Sequence, residues 1–444
     1  MFNLLLGLTA AICVLGPLLA YLRFKDVFHP LMLIMPMSAF MYVYMPFKLI
    51  QRGELWTYVT EEQAIFMQLV VVLAMTALTA GSLTGSAQRA SDKIPLVRAD
   101  RHTLHMGAYI VGGIGLAAWL FTLRESGGLS GAFGSAYGGT WSDYGYLRDA
   151  SYLVIVGVLL LISPEGIDVK NKFWWCAVAA FSFPWGVQAL LGARRGPTFM
   201  MVVCIGMSWF LARAKRPSVL IMILSGAGVG LLMLFLVTNR NSICLNCDLS
   251  NLKTDVSDVV MDANETNEYI FGVGCITTSR VTGKCYWGKR YAAQVLVRPV
   301  PRQIWPGKYT DTGLEDLEQN AGVAGADMQS VMGWSPIKGA AAGMIADLWV
   351  EFSWLEIPVC WIIGWSISRI WRRAVQEQSF WTTEYVILCI LSIYMVTQSG
   401  EAVIFRLVIM SVPALLVWRF ANKAGEENGN LRILEPLPAT SVHA

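Results

Sequence analysis

Stretches of about 17–25 mainly apolar residues, the length that carries a helix across a hydrocarbon core, recur throughout this 444-residue chain. Inside lipid a backbone must satisfy its own hydrogen bonds, which restricts long apolar runs without period-two alternation to helices. Composition agrees, with 55% of residues hydrophobic and 15% charged, whereas soluble domains carry about a quarter. Mean hydropathy is +0.50. The expected fold class is an all-α polytopic membrane protein. The net charge of +3 says little, and nothing in the composition calls for a nucleic-acid partner.

About eleven spans are predicted, near 2–22, 28–50, 63–86, 103–123, 150–163, 173–191, 197–212, 218–238, 353–370, 382–398 and 402–419. The first lacks a basic flank and a small-residue cleavage site, so it reads as a retained span. Pro184 predicts a kink in the sixth. Basic residues follow the odd-numbered spans: Arg89, Lys93, Arg98 and Arg101, then Lys170 and Lys172, then Arg213, Lys215 and Arg216, then Arg369, Arg372 and Arg373, then Arg419, Lys423 and Arg432. The positive-inside rule places those connections in the cytoplasm. The N-terminus and one long loop then face outward, and the C-terminus faces the cytoplasm.

The chain thus divides into an N-terminal transmembrane bundle (1–238), an outward loop region (239–352), a C-terminal set of spans (353–420) and a disordered tail (421–444). Within the loop, Asp255–Phe271 has apolar residues at helical spacing and reads as a surface helix. Of nine cysteines, Cys13, Cys176, Cys204, Cys360 and Cys389 fall in spans and read as inert. Cys244, Cys247, Cys275 and Cys285 fall in the loop. Four cysteines in an oxidising compartment predict two disulfides, with three connectivities open. A zinc site made of the four thiolates is the alternative, because Cys244-x-x-Cys247 has ligand spacing.

Three segments carry candidate chemistry. Between Arg280 and Lys308 there are seven basic residues and no acidic one. Such a surface beside a membrane suits an anionic, membrane-anchored substrate. Within it Arg298-Pro-Val-Pro-Arg302-Gln-Ile-Trp305-Pro306-Gly-Lys308 is stiffened by three prolines. Arg298, Arg302 and Lys308 would be presented on a rigid scaffold, with Trp305 able to stack on a sugar. The alternative is a rigid loop touching anionic lipid. Earlier, the turn Gly192-Ala-Arg194-Arg195-Gly196-Pro197 holds two arginines at a helix start, where phosphate binds well. Lipid anchoring is the equally open alternative. Later, Asp347 and Glu351 are four apart and share a helix face. Carboxylates beside a bilayer point to function, or else to salt bridges with the arginines. Glu401 and Arg406 form a weaker pair of the same kind.

In this order the segments resemble the Wzy-type O-antigen and exopolysaccharide repeat-unit polymerases of bacteria. GARRG at 192–196 is similar to the family's G-x-R-G turn, and Pro301–Lys308 to its P-R-x-x-W-P-x-K stretch. Asp347-Leu-Trp-Val-Glu351-Phe352-Ser-Trp is similar to its G-E-L-Y-x-N-F-G stretch. Ser353 and Glu356 depart from glycine positions of the family, and Asp347 from a glutamate. The resemblance implies a GT-C-like, metal-independent glycosyltransferase of the bacterial inner membrane without a cofactor. Its substrates would be oligosaccharide repeat units on undecaprenyl pyrophosphate, with a flippase and a chain-length regulator as further partners. Chemistry of this kind needs a base and a stabiliser for the leaving diphosphate. The outward segments hold no DxD motif, and none of the four histidines pairs with an acid at metal spacing. Arginines would then replace the metal: Arg194, Arg195 and Arg302, supported by Arg298 and Lys308. Asp347 or Glu351 would be the base, and Arg148 with Tyr144 and Tyr146 would line the sugar groove. The alternatives are an O-antigen ligase, a transporter or flippase for lipid-linked sugars, and a scaffold without chemistry.

Overall fold

The structure, a computed structural model, describes the chain apart from residues 88–94, 136–144, 193, 240–241, 249, 251, 253–266, 302, 314–321, 324–325, 336–339, 430 and 434–444. In chain order the main helices are α1 (Phe2–Phe24), α2 (Pro30–Gln51, with a π-helical turn at Phe40–Tyr44), α3 (Glu61–Ala87) and α4 (Arg101–Glu125). Then come α5 (Leu153–Leu161), α6 (Lys172–Leu190), α7 (Arg195–Ala212), α8 (Val219–Thr238), α9 (Glu268–Thr282) and α10 (Lys289–Leu296). The last are α11 (Gly343–Phe352), α12 (Glu356–Glu377), α13 (Phe380–Thr397) and α14 (Gly400–Glu427). Beside several short helices there are four short strands among the described residues: β1 (Pro95–Val97), β2 (Gly322–Val323), β3 (Ala326–Asp327) and β4 (Leu431–Ile433).

The protein is an all-α polytopic membrane protein. Among the described residues, eight helical stretches are long and apolar enough to span a bilayer: α1 to α4, α8, the α11–α12 stretch, α13 and α14. They coincide with eight of the eleven expected spans. The other three are α5, of nine residues; α6, diluted by Ser182, Pro184 and Gln188; and α7, a shorter apolar helix.

The chain forms two compact units, which cut across the expected division. The first comprises Met1–Gln88, Met261–Arg369 and Ser392–Phe405, and the second Arg89–Val260, Ile370–Leu391 and Arg406–Ala444. In the first unit α3 and α12 approach closely. A Cβ added at Gly81 would lie 2.0 Å from the Trp361 carbonyl oxygen, and one at Gly85 2.4 Å from that of Trp365. Small residues permit this where lipid offers no hydrophobic drive between helices. The hydroxyls of Ser82 and Ser368 meet across the same contact.

Segment 239–352 was expected to be an outward loop, yet part of it is core. Helix α9 starts at Glu268, because Asn267 is its N-cap, accepting from the amides of Tyr269 and Ile270. Residues Gly272 to Ser279 are all buried. They pack on α11 and join one apolar cluster with α1 to α3. The predicted surface helix over 255–271 is therefore corrected: 253–266 lie outside the described residues, and the helix that follows is interior. Alternate apolar and small residues (Ile270, Gly272, Val273, Gly274, Ile276) let α9 be buried all round.

Between α11 and α12 the helix breaks. Ser353 adopts φ 49° and ψ −133°, and Ser353–Leu355 forms a 3-10 turn. In the second unit, α4 packs on α5 and α6. Strands β1 and β4 pair antiparallel, Leu96 opposite Arg432. The tail expected to be disordered from 421 is thus corrected in part, since α14 runs to Glu427 and β4 is paired. The backbone hydrogen bonds of the ladder supply order that a polar composition does not reveal.

The disulfide expectation also needs correction. Cys244 and Cys247 are bonded to each other, while Cys275 and Cys285 are free. Cys275 lies on the buried α9, and Cys285 Sγ lies 3.5 Å from Ser279 Oγ. With Cys244 and Cys247 joined, the four-thiolate zinc alternative falls.

Candidate functional site

The most concentrated polar chemistry in the first unit surrounds Arg290. Helix α11 presents Asp347 and Glu351 one turn apart, both buried. The segment before α10 is pinned to the end of α11, because Tyr286 N donates to Val350 O at 3.0 Å and Trp287 N to Glu351 O at 2.8 Å. Gly288 then turns the chain at φ 80°, where glycine carries no steric penalty. This sets Arg290 directly over the acidic pair. Its Nη2 donates to Asp347 Oδ1 at 2.6 Å and its Nε to Glu351 Oε1 at 2.5 Å. Its Nη1 lies 3.7 Å from Glu401 Oε2 at the start of α14.

The remaining oxygens of the pair are also satisfied. Asp347 Oδ2 accepts from Tyr291 Oη at 2.5 Å and from Gly400 N at 2.8 Å. Glu351 Oε2 accepts from Gly288 N at 2.8 Å. Burial works against the Arg290 charge, but Asp347, Glu351 and Glu401 outweigh it and hold the guanidinium well above its ordinary pKa. Burial, reinforced by Asp347, pushes the Tyr291 phenol well above its ordinary range. Arg290 stays charged and Tyr291 stays a donor.

Around this core lies a looser layer. Gln294 donates to Glu401 Oε1, and Arg298 Nη1 donates to Gln294 Oε1 at 2.9 Å. The Arg298 guanidinium lies over the Phe405 ring at 3.6 Å, a cation–π contact. The Glu401 side chain keeps 23% of its surface, against 3% for Asp347 and 0% for Glu351. Glu401 is therefore the most accessible of the three carboxylates, while Asp347 and Glu351 fix Arg290. Three carboxylates face two guanidinium groups, so the cluster has no spare positive charge for a diphosphate.

The structure brings together Asp347, Glu351 and Arg298 from the expected site. Lys308 is turned inward and buried, its Nζ donating to the carbonyls of Val297, Arg298 and Val300 at 3.2, 3.0 and 2.7 Å. It braces the proline-framed turn. Trp305 Nε1 donates to Asp311 Oδ2 at 2.6 Å, and its ring packs on Ala293 and Val297. Glu401 pairs with Gln294 and Arg290, while Arg406 Nε donates to Tyr152 Oη at 2.6 Å.

Arg194 and Arg195 belong to the second unit, Arg194 as the N-cap position of α7 and Arg195 as its first residue. Arg148 lies in the short helix Gly145–Ala150 of that unit, where its carbonyl accepts from Ser151 Oγ at 2.6 Å. Arg302 and Tyr144 lie outside the described residues. Sequence reasoning missed Arg290, Tyr291 and Gln294. The signal was present in the register: 290, 294 and 298 repeat at four residues, matching the acidic pair at 347 and 351. No protein-family model, no curated protein and no solved structure matches this chain.

Proposed function

We propose that the protein is a membrane glycosyltransferase that extends oligosaccharide repeat units carried on undecaprenyl pyrophosphate, at the outer face of a bacterial inner membrane. The Arg290 cluster carries this reading, because ionisable residues within otherwise apolar spans are costly and mark chemistry. In the proposed reaction the acceptor sugar hydroxyl attacks the anomeric carbon of the donor. The bond from that carbon to the diphosphate oxygen breaks, and undecaprenyl pyrophosphate leaves with the electron pair. Glu401 takes the hydroxyl proton as general base, and Arg290 and Arg298 orient the hydroxyl side. The leaving diphosphate needs cations beyond this cluster, for which Arg302 is the sequence candidate on the same segment.

The test is a reconstitution in liposomes with lipid-linked repeat units, read as polymer length on a gel. Glu401→Gln is expected to lower turnover by about a hundredfold or more while the protein still inserts and folds. Undiminished polymer from that variant would remove Glu401 from the mechanism. A wild-type protein that makes no polymer would remove the reading itself.

A transporter of lipid-linked sugars is the second reading. The break at Ser353 inside the α11–α12 stretch favours it, because discontinuous helices build transport sites. Movement of the labelled lipid between leaflets without chain growth would select it.

A further inference from the structure

The first residue of α12 stands apart from the Arg290 cluster. Glu356 has 0% of its surface exposed, and neither carboxyl oxygen has a hydrogen-bond partner among the described residues. It follows directly on the Ser353–Leu355 turn, where the backbone departs from helix. Asp347 from α11 and Tyr42 from the π-helical turn of α2 lie within electrostatic reach. Cys360, one turn along α12, is buried beside it. These are the titratable groups that act on it among the described residues. The Tyr42 hydroxyl accepts from Ile345 N at 3.1 Å. The Tyr42 carbonyl accepts from Gln68 Nε2 at 3.2 Å, and Gln68 also holds Thr9 and Tyr269.

Among the described residues no cation acts on Glu356, whereas Asp347 and Glu351 share a guanidinium. A buried carboxylate without a partner is among the costliest groups a protein can hold. A structural acid would find an acceptor for its proton, since buried polar groups are nearly always satisfied. Exceptions inside spans mark ion and proton paths. The adjoining 3-10 turn interrupts the regular helical ladder immediately before Glu356.

We propose that Glu356 is a proton-binding site: a carboxylic acid in the structure described here, which exchanges its proton with water when the chain opens at Ser353–Leu355. Its ligand is the proton itself. The site is independent of glycosyl transfer and would serve either functional reading as a means of sensing or carrying protons.

The experiment uses the full-length protein in liposomes and infrared spectroscopy of its carboxylic acid C=O stretch. The expected result is a band from an acid without hydrogen bonds, lost in Glu356→Gln and shifted in D2O within minutes. Slowing of that shift by at least tenfold is expected when Ser353 and Leu355, replaced by cysteines, are cross-linked across the turn. A second measurement needs no variant: a hydrophobic carbodiimide, which attacks protonated carboxyls, should modify Glu356 in the wild-type protein, read by peptide mass mapping. Absence of both the band and the modification would overturn the proposal. So would a band that stays unshifted in D2O, which would make Glu356 a static acid.

Discussion

At the residue scale the decisive group is Arg290. Removing one partner of a buried ion cluster costs more than the cluster contributes, because the remaining charges stay uncompensated. Arg290→Met is therefore expected to destabilise the protein by about 3–5 kcal/mol, seen as a lower unfolding temperature in detergent. An unchanged midpoint would show that solvent reaches the three carboxylates. Lys308 gives a second test of the same physics. Lys308→Met leaves three carbonyls without their donor and is expected to cost about 1.5–3 kcal/mol. Faster amide exchange confined to 297–312 would be its signature, and exchange equal to wild type would refute the bracing role. The acidic pair was legible in the sequence because four-residue spacing sets a shared helix face. Its partner was not, because the seven basic residues between Arg280 and Lys308 look alike in the sequence until the turn at Gly288 chooses one.

At the element scale the break before α12 and the approach of α3 to α12 are the two features that a span count cannot supply. Ser353 holds a positive φ, a conformation that costs non-glycine residues about 1–3 kcal/mol. Ser353→Gly is expected to raise stability by about 1 kcal/mol, and Ser353→Val to lower it. Thermal melts that move in the opposite order would mean the break is not built as described. Gly81 and Gly85 allow backbone contact with α12, so Gly81→Leu is expected to abolish folding. Gly7→Leu on α1, where a Cβ would meet nothing within 4 Å, is the control and should fold normally in a fluorescence size-exclusion assay. Helix existence was readable from apolar length. Helix closeness was not, since Gly also occurs at sites such as Gly7 that touch nothing.

At the scale of the molecule, topology is the property on which the proposed outward chemistry depends. An impermeant maleimide added to intact cells lacking Cys176 and Cys285 should label Leu296→Cys, whose parent residue is 71% exposed. It should reach Lys170→Cys only after the membrane is opened. The reverse pattern would place the Arg290 cluster on the cytoplasmic side and sink the periplasmic chemistry.

The sequence by itself determined the class of this protein and the approximate limits of eight spans. Lipid leaves an apolar chain only one local solution, a helix that closes its own hydrogen bonds, and local rules are written in local residues. Tertiary structure alone decided that residues 272–279 are core, that Cys244 bonds Cys247, and that Arg290 takes both acids. Those outcomes depend on which distant side chains meet in three dimensions, and the energy of a buried charge is set by that meeting rather than by its neighbours in the chain.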